Sequence, residues 1–469
     1  MAINENPDVS PSQRSVSERF LGLFTEVRTG EGTTALLMFA NVFLILCAYY
    51  FVKPLREGWI AISDISGLSK MEVKAYSSFV QSLFLLFIVG WYARLAGRWD
   101  RVTLITRATL FCISNLVIFW FLQPGYFIEA LPISGIVFYV WVGMFGVFVV
   151  AQFWTFCADV YTDERGKRML PVIAIGATSG AATGSWIVSQ LVVSGMVDTK
   201  LLLLVAAVPL LVSIVLTRIV GSREARAGSP PAVDMKGEKG AGFLLSGARL
   251  VLLSRFLLAA AVVTLLANWV NTNGENLLFR VVQETLARQA PEQGVTDSFA
   301  VLEFTRNGTT IFYGDFYFWV NIVALLLQAF VASRLLKYGG FATIVLMLPV
   351  IALLSYTAMA VLPILAIVKM MKIAENATDY SINNTARHVL WLPVSSEMKF
   401  CGKPAIDTLY VRLGDGLAAV TVLIGVQFLD ISTRSFIIFN VSLVICWLAF
   451  TLLIIREHRK AVQYMNNLA

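Results

Sequence analysis

Apolar runs long enough to cross a membrane recur along nearly the whole chain, and they constrain its fold more than any other feature. A bilayer has a hydrocarbon core about 30 Å thick, which an α-helix of about 20 apolar residues crosses. Runs of this length therefore predict membrane-spanning helices. The twelve predicted spans are 34–56, 75–96, 102–122, 131–160, 169–193, 200–220, 252–278, 312–335, 341–359, 361–388, 404–429 and 433–455.

The composition also indicates an all-α, multi-pass membrane protein. Hydrophobic residues make up 57% of the chain and charged residues 14%, and the mean hydropathy is +0.73. Soluble proteins carry about 25% charged residues. The net charge of +7 is scattered over short loops without forming a basic stripe, so we expect no nucleic acid partner. Most of the basic residues lie in loops on the same side of the membrane as the two termini. Because basic loops face the cytoplasm, we expect both termini to be cytoplasmic. We expect the protein to lie in the inner membrane.

The spans divide into two six-helix halves joined by a polar linker. The predicted parts are a cytoplasmic segment at 1–33, a bundle at 34–220, a cytoplasmic linker at 221–251, a second bundle at 252–455 and a cytoplasmic tail at 456–469. The linker is rich in Gly, Pro and Ser, and an interfacial helix is expected at its end, from about Phe243 to Ser254. Within the second bundle, residues 283–312 predict an outward loop, with a small β-hairpin turning at Asn307-Gly308. Two such halves are typical of major facilitator-type carriers.

Charged and polar residues inside the spans are the candidate functional residues. A charge at the bilayer centre costs about 2.5–3.5 kcal/mol, so several of them together indicate a water-filled path. The candidate substrate-binding residues are Tyr49, Tyr50, Lys53, Arg56, Glu57, Asn268, Asn271, Glu275, Lys369, Lys372, Asn376, Asp379, Asn383, Arg387, Arg412 and Asp415. In a two-bundle carrier we expect the first, fourth, seventh and tenth spans to line the central cavity.

Several of these residues have an alternative interpretation. Lys53 and Arg56 could extend their side chains to the outer membrane interface instead of lining a cavity. The polar face of the seventh span, from Asn268 to Glu275, favours a substrate or proton role, because an apolar bundle has no need of it. Arg412 and Asp415 are three residues apart and could pair with each other, or could belong to a structural ion pair between the tenth and eleventh spans.

The other motifs do not support an enzyme. Gly176, Gly180 and Gly184 in the fifth span form a small-residue face for helix packing. Because no lysine occupies a phosphate-loop position there, nucleotide hydrolysis is not supported. The five cysteines and two histidines lack metal-ligand spacing, and the sequence contains no nucleophile–base set. We therefore expect no enzymatic activity, no metal and no cofactor.

The region around the tenth and eleventh spans resembles the nucleotide transporter family, the ATP/ADP translocases of plastids and obligate intracellular bacteria. The segments that carry the resemblance are Tyr380-Ser381, Asn384 to Arg387, Pro393 to Lys399, Gly402 to Asp407 and Arg412 to Gly414, with Tyr50 to Glu57 in the first span and Phe153-Trp154 in the fourth. Membership of this family implies ATP:ADP exchange by alternating access.

The resemblance implies roles for some candidates and is broken at others. In a nucleotide carrier, the phosphate would be held by Lys53, Arg56, Lys372 and Arg412. The base could stack on Tyr49 or Tyr50. Asp379 and Asp415 stand where the translocases carry lysine. These two charge reversals disfavour the binding of a polyphosphate.

Two other functions therefore stay open beside nucleotide exchange. The chain could be a proton-coupled carrier of another organic solute, with Glu275, Asp379 or Asp415 as the proton site. It could also be a membrane sensor that binds without transport. In the leading hypothesis the partners are a small anionic substrate and the lipid bilayer, and the protein is a monomer.

Overall fold

The computed structural model of the protein describes residues 31–96, 100–123, 132–226 and 241–468, which form helices joined by short connections. The helices are α1 Glu31–Ala61, α2 Lys70–Ala96, α3 Arg101–Phe121, α4 Pro132–Val160, α5 Asp163–Ser194, α6 Leu202–Arg226, α7 Ala241–Leu253, α8 Arg255–Glu292, α9 Ser298–Leu326, α10 Ser333–Val361, α11 Leu365–Thr378, α12 Asn384–Leu390, α13 Lys403–Ala405, α14 Val411–Leu423 and α15 Thr433–Leu468. Five-residue and six-residue π-helical turns join α9 to α10 and α11 to α12, and flank α13 and α14.

The helices confirm the predicted polytopic all-α fold. Within the described ranges, nine helical stretches are long and apolar enough to cross a membrane. One of them, Ser298–Val361, holds two predicted spans, because Gly340 breaks the helix with a φ of 68°, a conformation that favours glycine. Helix α2 and the α11–α12 pair account for the two remaining predicted spans.

The predicted loop and β-hairpin at 283–312 are wrong, because α8 and α9 cover all of this stretch except residues 293–297. The outward side of this stretch stays a prediction. Asp297 caps α9 by accepting a hydrogen bond from a backbone N–H in its first turn. Gly308 lies within α9 and not in a turn, and a side chain there would meet Leu286 of α8. The glycine therefore serves close helix packing, which the sequence pattern alone did not separate from a turn.

The predicted helix at the end of the linker is confirmed as α7. It packs on the carboxy-terminal bundle, where Gly247 lies so close to the Cys401 carbonyl oxygen that an added Cβ would come within 2.4 Å of it. The rest of the linker, at 227–240, and most of the predicted amino-terminal segment, at 1–30, lie outside the described residues.

The two bundles, α1–α6 and α8–α15, join at the end of the molecule where α1 ends and α2 begins, which we call the closed end. Helix α2 packs on α8 and α14, while α1 and α5 pack on α9. At the closed end, the Gln427 side chain donates to the Gly67 carbonyl oxygen at 3.0 Å and to the Glu72 carboxylate at 2.8 Å. Helix α4 packs on α1, α2, α3 and α5, and α11 packs on α8, α9 and α10, so each stays with its own bundle.

The opposite end of the amino-terminal bundle is held by contacts within that bundle. Arg101 at the start of α3 bonds to Asp159 near the end of α4 at 2.5 Å. Asp100 caps α3 by accepting from the Thr103 N–H at 3.0 Å, and the hydrogen bonds from Thr103 lower the pKa of the Asp100 carboxyl. These contacts stabilise one bundle and do not tie it to the other.

The predicted glycine face of the fifth span is confirmed as a packing surface. Helix α5 lies directly on the α1 backbone: a Cβ added at Gly180 would come 2.2 Å from the Phe43 carbonyl oxygen, and one at Gly184 would come 2.1 Å from the Cys47 carbonyl oxygen. Such an approach is possible only for residues without a side chain. The glycines therefore fix the position of α1, which carries the first group of candidate site residues.

Candidate functional site

A polar cavity of about 150 Å³ lies between the two bundles, next to the closed end. Both bundles contribute to its wall. Its lining residues are Lys53, Arg56 and Glu57 from α1, Lys74 and Ser78 from α2, Tyr139 from α4, Asn271, Thr272, Glu275 and Asn276 from α8, Tyr317 from α9, Asn376 from α11 and Tyr380 just after it. The expected contribution of the first, fourth, seventh and tenth spans is thus observed, with additions from the second and eighth.

Glu57 pairs with two of the cations in this wall. Its carboxylate lies 2.6 Å from Nη2 of Arg56 and 3.0 Å from Nζ of Lys74, and the residue is buried. The Arg56 guanidinium also lies over the Tyr139 ring, 4.2 Å from its centroid, a favourable cation–π distance. Arg56 and Glu57 therefore face the cavity and are not extended toward the membrane interface.

Lys74 is a site residue that the sequence prediction missed, because the second span was taken to begin one residue after it. Its ammonium lies 3.4 Å from the Glu275 carbonyl oxygen and 3.3 Å from the Tyr313 hydroxyl, both in the other bundle. Lys74, Ser78 and Ser82 repeat at helical spacing, so a polar face on α2 was the signal that could have revealed it.

Lys53 differs from the other cations because it has no carboxylate partner among the described residues. Its ammonium lies 3.9 Å from the centroid of the Tyr317 ring and 4.9 Å from that of Tyr50. Aromatic faces attract a cation but do not cancel its charge. Lys53 is therefore positioned to meet an anion in the cavity. The Tyr50 ring thus lies close to the Lys53 ammonium. Tyr49 instead packs edge-on against Phe145, with 6.0 Å between the ring centroids, and it is not among the residues that line the cavity.

Lys372 lies behind the cavity wall between two carboxylates. Its fully buried ammonium is 3.0 Å from Glu375 and 3.5 Å from Glu275, and it also donates to the Asn271 side-chain oxygen at 3.1 Å. The Asn376 amide donates to the same Glu275 oxygen, Oε1, at 2.8 Å. The predicted residues of α8 and α11 are thus brought together, with Lys372 fixed in an ion-pair network.

Arg412 and Asp415 form the predicted pair with each other, at 3.0 Å, on one helix and not between the tenth and eleventh spans. Asp415 also accepts from Asn268 at 2.7 Å and from Thr272 at 3.1 Å, both on α8. Ser82 of the other bundle bonds to both members of the pair. The group therefore joins α2, α8 and α14 beside the cavity.

The remaining candidates lie farther from the cavity. Lys369 pairs with Asp315 of α9. Asp379 accepts from Asn383 at 2.6 Å, and it lines a smaller cavity of about 20 Å³ together with Arg387. Asn268 and Asn271 also face this smaller cavity, which lies within the carboxy-terminal bundle.

We expect Asp415→Ala to lower the free energy of unfolding by about 3 kcal/mol, because it leaves the Arg412 guanidinium without its carboxylate partner. The Asn268 amide also loses one of its two acceptors and keeps the Val411 carbonyl oxygen. Thermal unfolding of the purified protein in detergent measures the effect. The control is Asp64→Ala, whose carboxylate pairs with Lys70 at 2.7 Å but is 75% exposed, and which should change stability by less than about 1 kcal/mol. Equal losses in the two variants would contradict a structural role for Asp415.

Comparison with known families places a match in the second half of the chain. Residues 341–458 match the sequence profile described as TLC ATP/ADP transporter. Among curated proteins, the ADP,ATP carrier protein 1 of Chlamydia pneumoniae is 27% identical over 128 residues, which cover 23% of this chain and 25% of that protein. The ADP,ATP carrier protein 1 of Chlamydia trachomatis is 24% identical over 128 residues, covering 23% and 24%. The chain thus spans about a quarter of the curated relatives' length in these matches.

Comparison with solved structures covers nearly the whole chain. The nucleoside transporter NupG superposes with a TM-score of 0.61 at 12% identity, covering 90% of this chain and 99% of its own. A bacterial homologue of the lysosomal transporter Spinster, in an inward-facing and unoccupied conformation, superposes with a TM-score of 0.54 at 14% identity, covering 93% and 99%. At such low identity these likenesses concern the fold alone.

Proposed function

We propose that this chain, a divergent member of the TLC ATP/ADP transporter family, is a membrane carrier that moves a nucleotide or a related anionic metabolite by alternating access. The observation that carries the proposal is the polar cavity between the two bundles. It brings Lys53, Arg56 and Lys74 together with hydrogen-bonding side chains from both halves. A site built from two bundles that can move against each other is the arrangement such carriers use.

The packing of the bundles supports one state of the proposed cycle. The bundles meet at the closed end, next to the cavity, while α4 and α11 each pack within their own bundle. If the termini are cytoplasmic, as the charge distribution predicts, the closed end faces outward and the cavity is reached from the cytoplasm. Rocking of the bundles about the bound substrate would then expose the cavity to the other side.

Nucleotide exchange in the inner membrane is the finer proposal. It is supported by the match to residues 341–458, which contain Lys369, Lys372, Arg412 and Asp415. We further propose that the chain acts as a monomer, because the cavity is lined by helices of one chain. The family match also favours transport over catalysis.

Uptake of labelled nucleotides and nucleosides into cells that express the protein tests this function. Lys53→Met should abolish the uptake of labelled nucleotides without loss of protein from the membrane, because it removes a cation that faces the cavity and has no carboxylate partner among the described residues. The matched control is Lys460→Met, since that lysine is 66% exposed on the carboxy-terminal helix and pairs with Glu457. Unchanged uptake in Lys53→Met would contradict the assignment of this cavity as the substrate site.

A further inference from the structure

We propose that the cavity selects an organic anion with a single net negative charge over nucleoside diphosphates and triphosphates. This inference rests on the proposed function, in that it takes the cavity to be the substrate site. It concerns the charge of the substrate, which decides how well a buried site can hold it. A charge taken out of water must be matched by opposite charge or it costs several kcal/mol.

The charges around the cavity almost cancel before any substrate binds. Arg56 and Lys74 share the Glu57 carboxylate at 2.6 and 3.0 Å. Behind the wall, Lys372 lies between Glu275 at 3.5 Å and Glu375 at 3.0 Å. The first group carries one excess positive charge and the second carries one excess negative charge. These six residues therefore leave no net charge for a substrate to neutralise.

Lys53 supplies the remaining charge. No described carboxylate lies within salt-bridge distance of its ammonium, which rests on the rings of Tyr50 and Tyr317 at 4.9 and 3.9 Å. The cavity with its ion-paired surroundings thus has one uncompensated positive charge. An anion with one negative charge balances it, whereas each further negative charge is left unmatched in a buried site.

The neighbouring charged candidates do not add to this excess. Lys369 pairs with Asp315, and Arg412 pairs with Asp415 at 3.0 Å. Each of these pairs is neutral as a unit, so neither offers a free cation to a second or third phosphate. The charge reversal at Asp415 is thus accompanied by the neutralisation of Arg412, one of the residues expected to hold phosphate.

The rest of the wall fits the uncharged part of a small organic anion. The side-chain amide nitrogen of Asn276 is buried without a hydrogen-bond partner among the described residues, and it is part of the cavity lining. Tyr139, Tyr317 and Tyr380 supply ring surfaces. The volume of about 150 Å³ lies below the roughly 300–1,000 Å³ typical of ligand pockets, which favours a small solute.

Binding of a charge series to the purified full-length protein tests the inference. Adenosine, 3′,5′-cyclic AMP, AMP, ADP and ATP share one base and carry charges of about 0, −1, −2, −3 and −4 near neutral pH. Isothermal titration should give the tightest binding for cyclic AMP, with affinity at least about tenfold lower for ADP and ATP. Affinity that rises steadily from cyclic AMP to ATP would overturn the inference.

Two variants should move the preferred charge in opposite directions. Lys53→Met removes the uncompensated cation, so the preference should shift to adenosine. Glu57→Gln adds one net positive charge, so the preference should shift from cyclic AMP toward AMP; Glu275→Gln is a second route to the same change if the first variant does not fold. A charge preference that is identical in the native protein and in folded variants would contradict the inference.

A second series separates this inference from the nucleotide assignment. Benzyl alcohol, benzoate and phthalate carry charges of about 0, −1 and −2 on one ring system at neutral pH. If none of the adenine compounds binds, the nucleotide assignment fails, but benzoate should still bind more tightly than phthalate. Tighter binding of phthalate, or binding of neither anion, would overturn the charge inference in that case.

Discussion

Replacing Gly180 with alanine should lower the free energy of unfolding by more than about 3 kcal/mol and sharply reduce the amount of folded protein in the membrane. The new Cβ would come 2.2 Å from the Phe43 carbonyl oxygen, and backbone atoms of a neighbouring helix cannot rotate aside as a side chain can. Helix α5 would have to move away from α1 along its length. Because α1 carries Lys53 and Glu57, the cavity would be disturbed as well.

Gly166→Ala is the matched control, because it makes the same change on the same helix. A Cβ there would have its nearest neighbour at 3.5 Å, an ordinary van der Waals distance. Since alanine favours a helix over glycine by about 1 kcal/mol, this variant should be neutral or slightly stabilising. Size-exclusion profiles and thermal unfolding in detergent compare the two. Similar behaviour of Gly180→Ala and Gly166→Ala would contradict the close packing of α1 and α5.

Replacing Lys74 with methionine should open the closed end and destabilise the protein by roughly 3 kcal/mol. The buried ammonium bonds to Glu57 in its own bundle and to the Glu275 carbonyl oxygen and the Tyr313 hydroxyl in the other. Methionine keeps the length of the side chain but makes none of these bonds. Glu57 retains Arg56 as a partner, so the main loss is the link between the bundles.

Distances between spin labels at Ser66 and Leu429, on opposite sides of the closed end, measure this opening. The labelled protein carries serine at Cys401 and Cys446, the two cysteines that are not buried. Lys74→Met should lengthen the distance distribution. Lys70→Met is the control, because that lysine pairs within its own bundle with Asp64 and lies 30% exposed. An unchanged distance distribution in Lys74→Met would argue that Lys74 does not hold the two bundles together at the closed end.

The membrane-spanning helices could be predicted because a run of about 20 apolar residues has few alternatives in a bilayer. The same physics identified Lys53, Arg56, Glu57, Glu275 and Asn376 as residues that need a polar environment, and the structure brings all five to one cavity. Their convergence follows from helices α1, α8 and α11 packing around the same space. This part of the site was accessible from the sequence.

The pairing of the charges could not be predicted. Whether Lys372 faces a substrate or lies between Glu275 and Glu375 depends on the rotation and depth of α8 and α11, which apolar periodicity determines only within a few residues. The same uncertainty in the end of a span left Lys74 outside the predicted second span. A hairpin was predicted at Gly308 because the contact of this glycine with Leu286 of the neighbouring helix is not visible in the local pattern. Each miss concerns tertiary contacts that local patterns do not contain.

Counterflow in proteoliposomes tests most directly whether the chain is a carrier. Vesicles containing the purified protein are loaded with unlabelled substrate, diluted into labelled substrate at low concentration, and followed over time. A carrier should accumulate label transiently above the outside concentration, and Lys53→Met should remove this overshoot while Lys460→Met retains it. Binding of the labelled substrate without any overshoot in the native protein would contradict transport and leave a membrane protein that only binds.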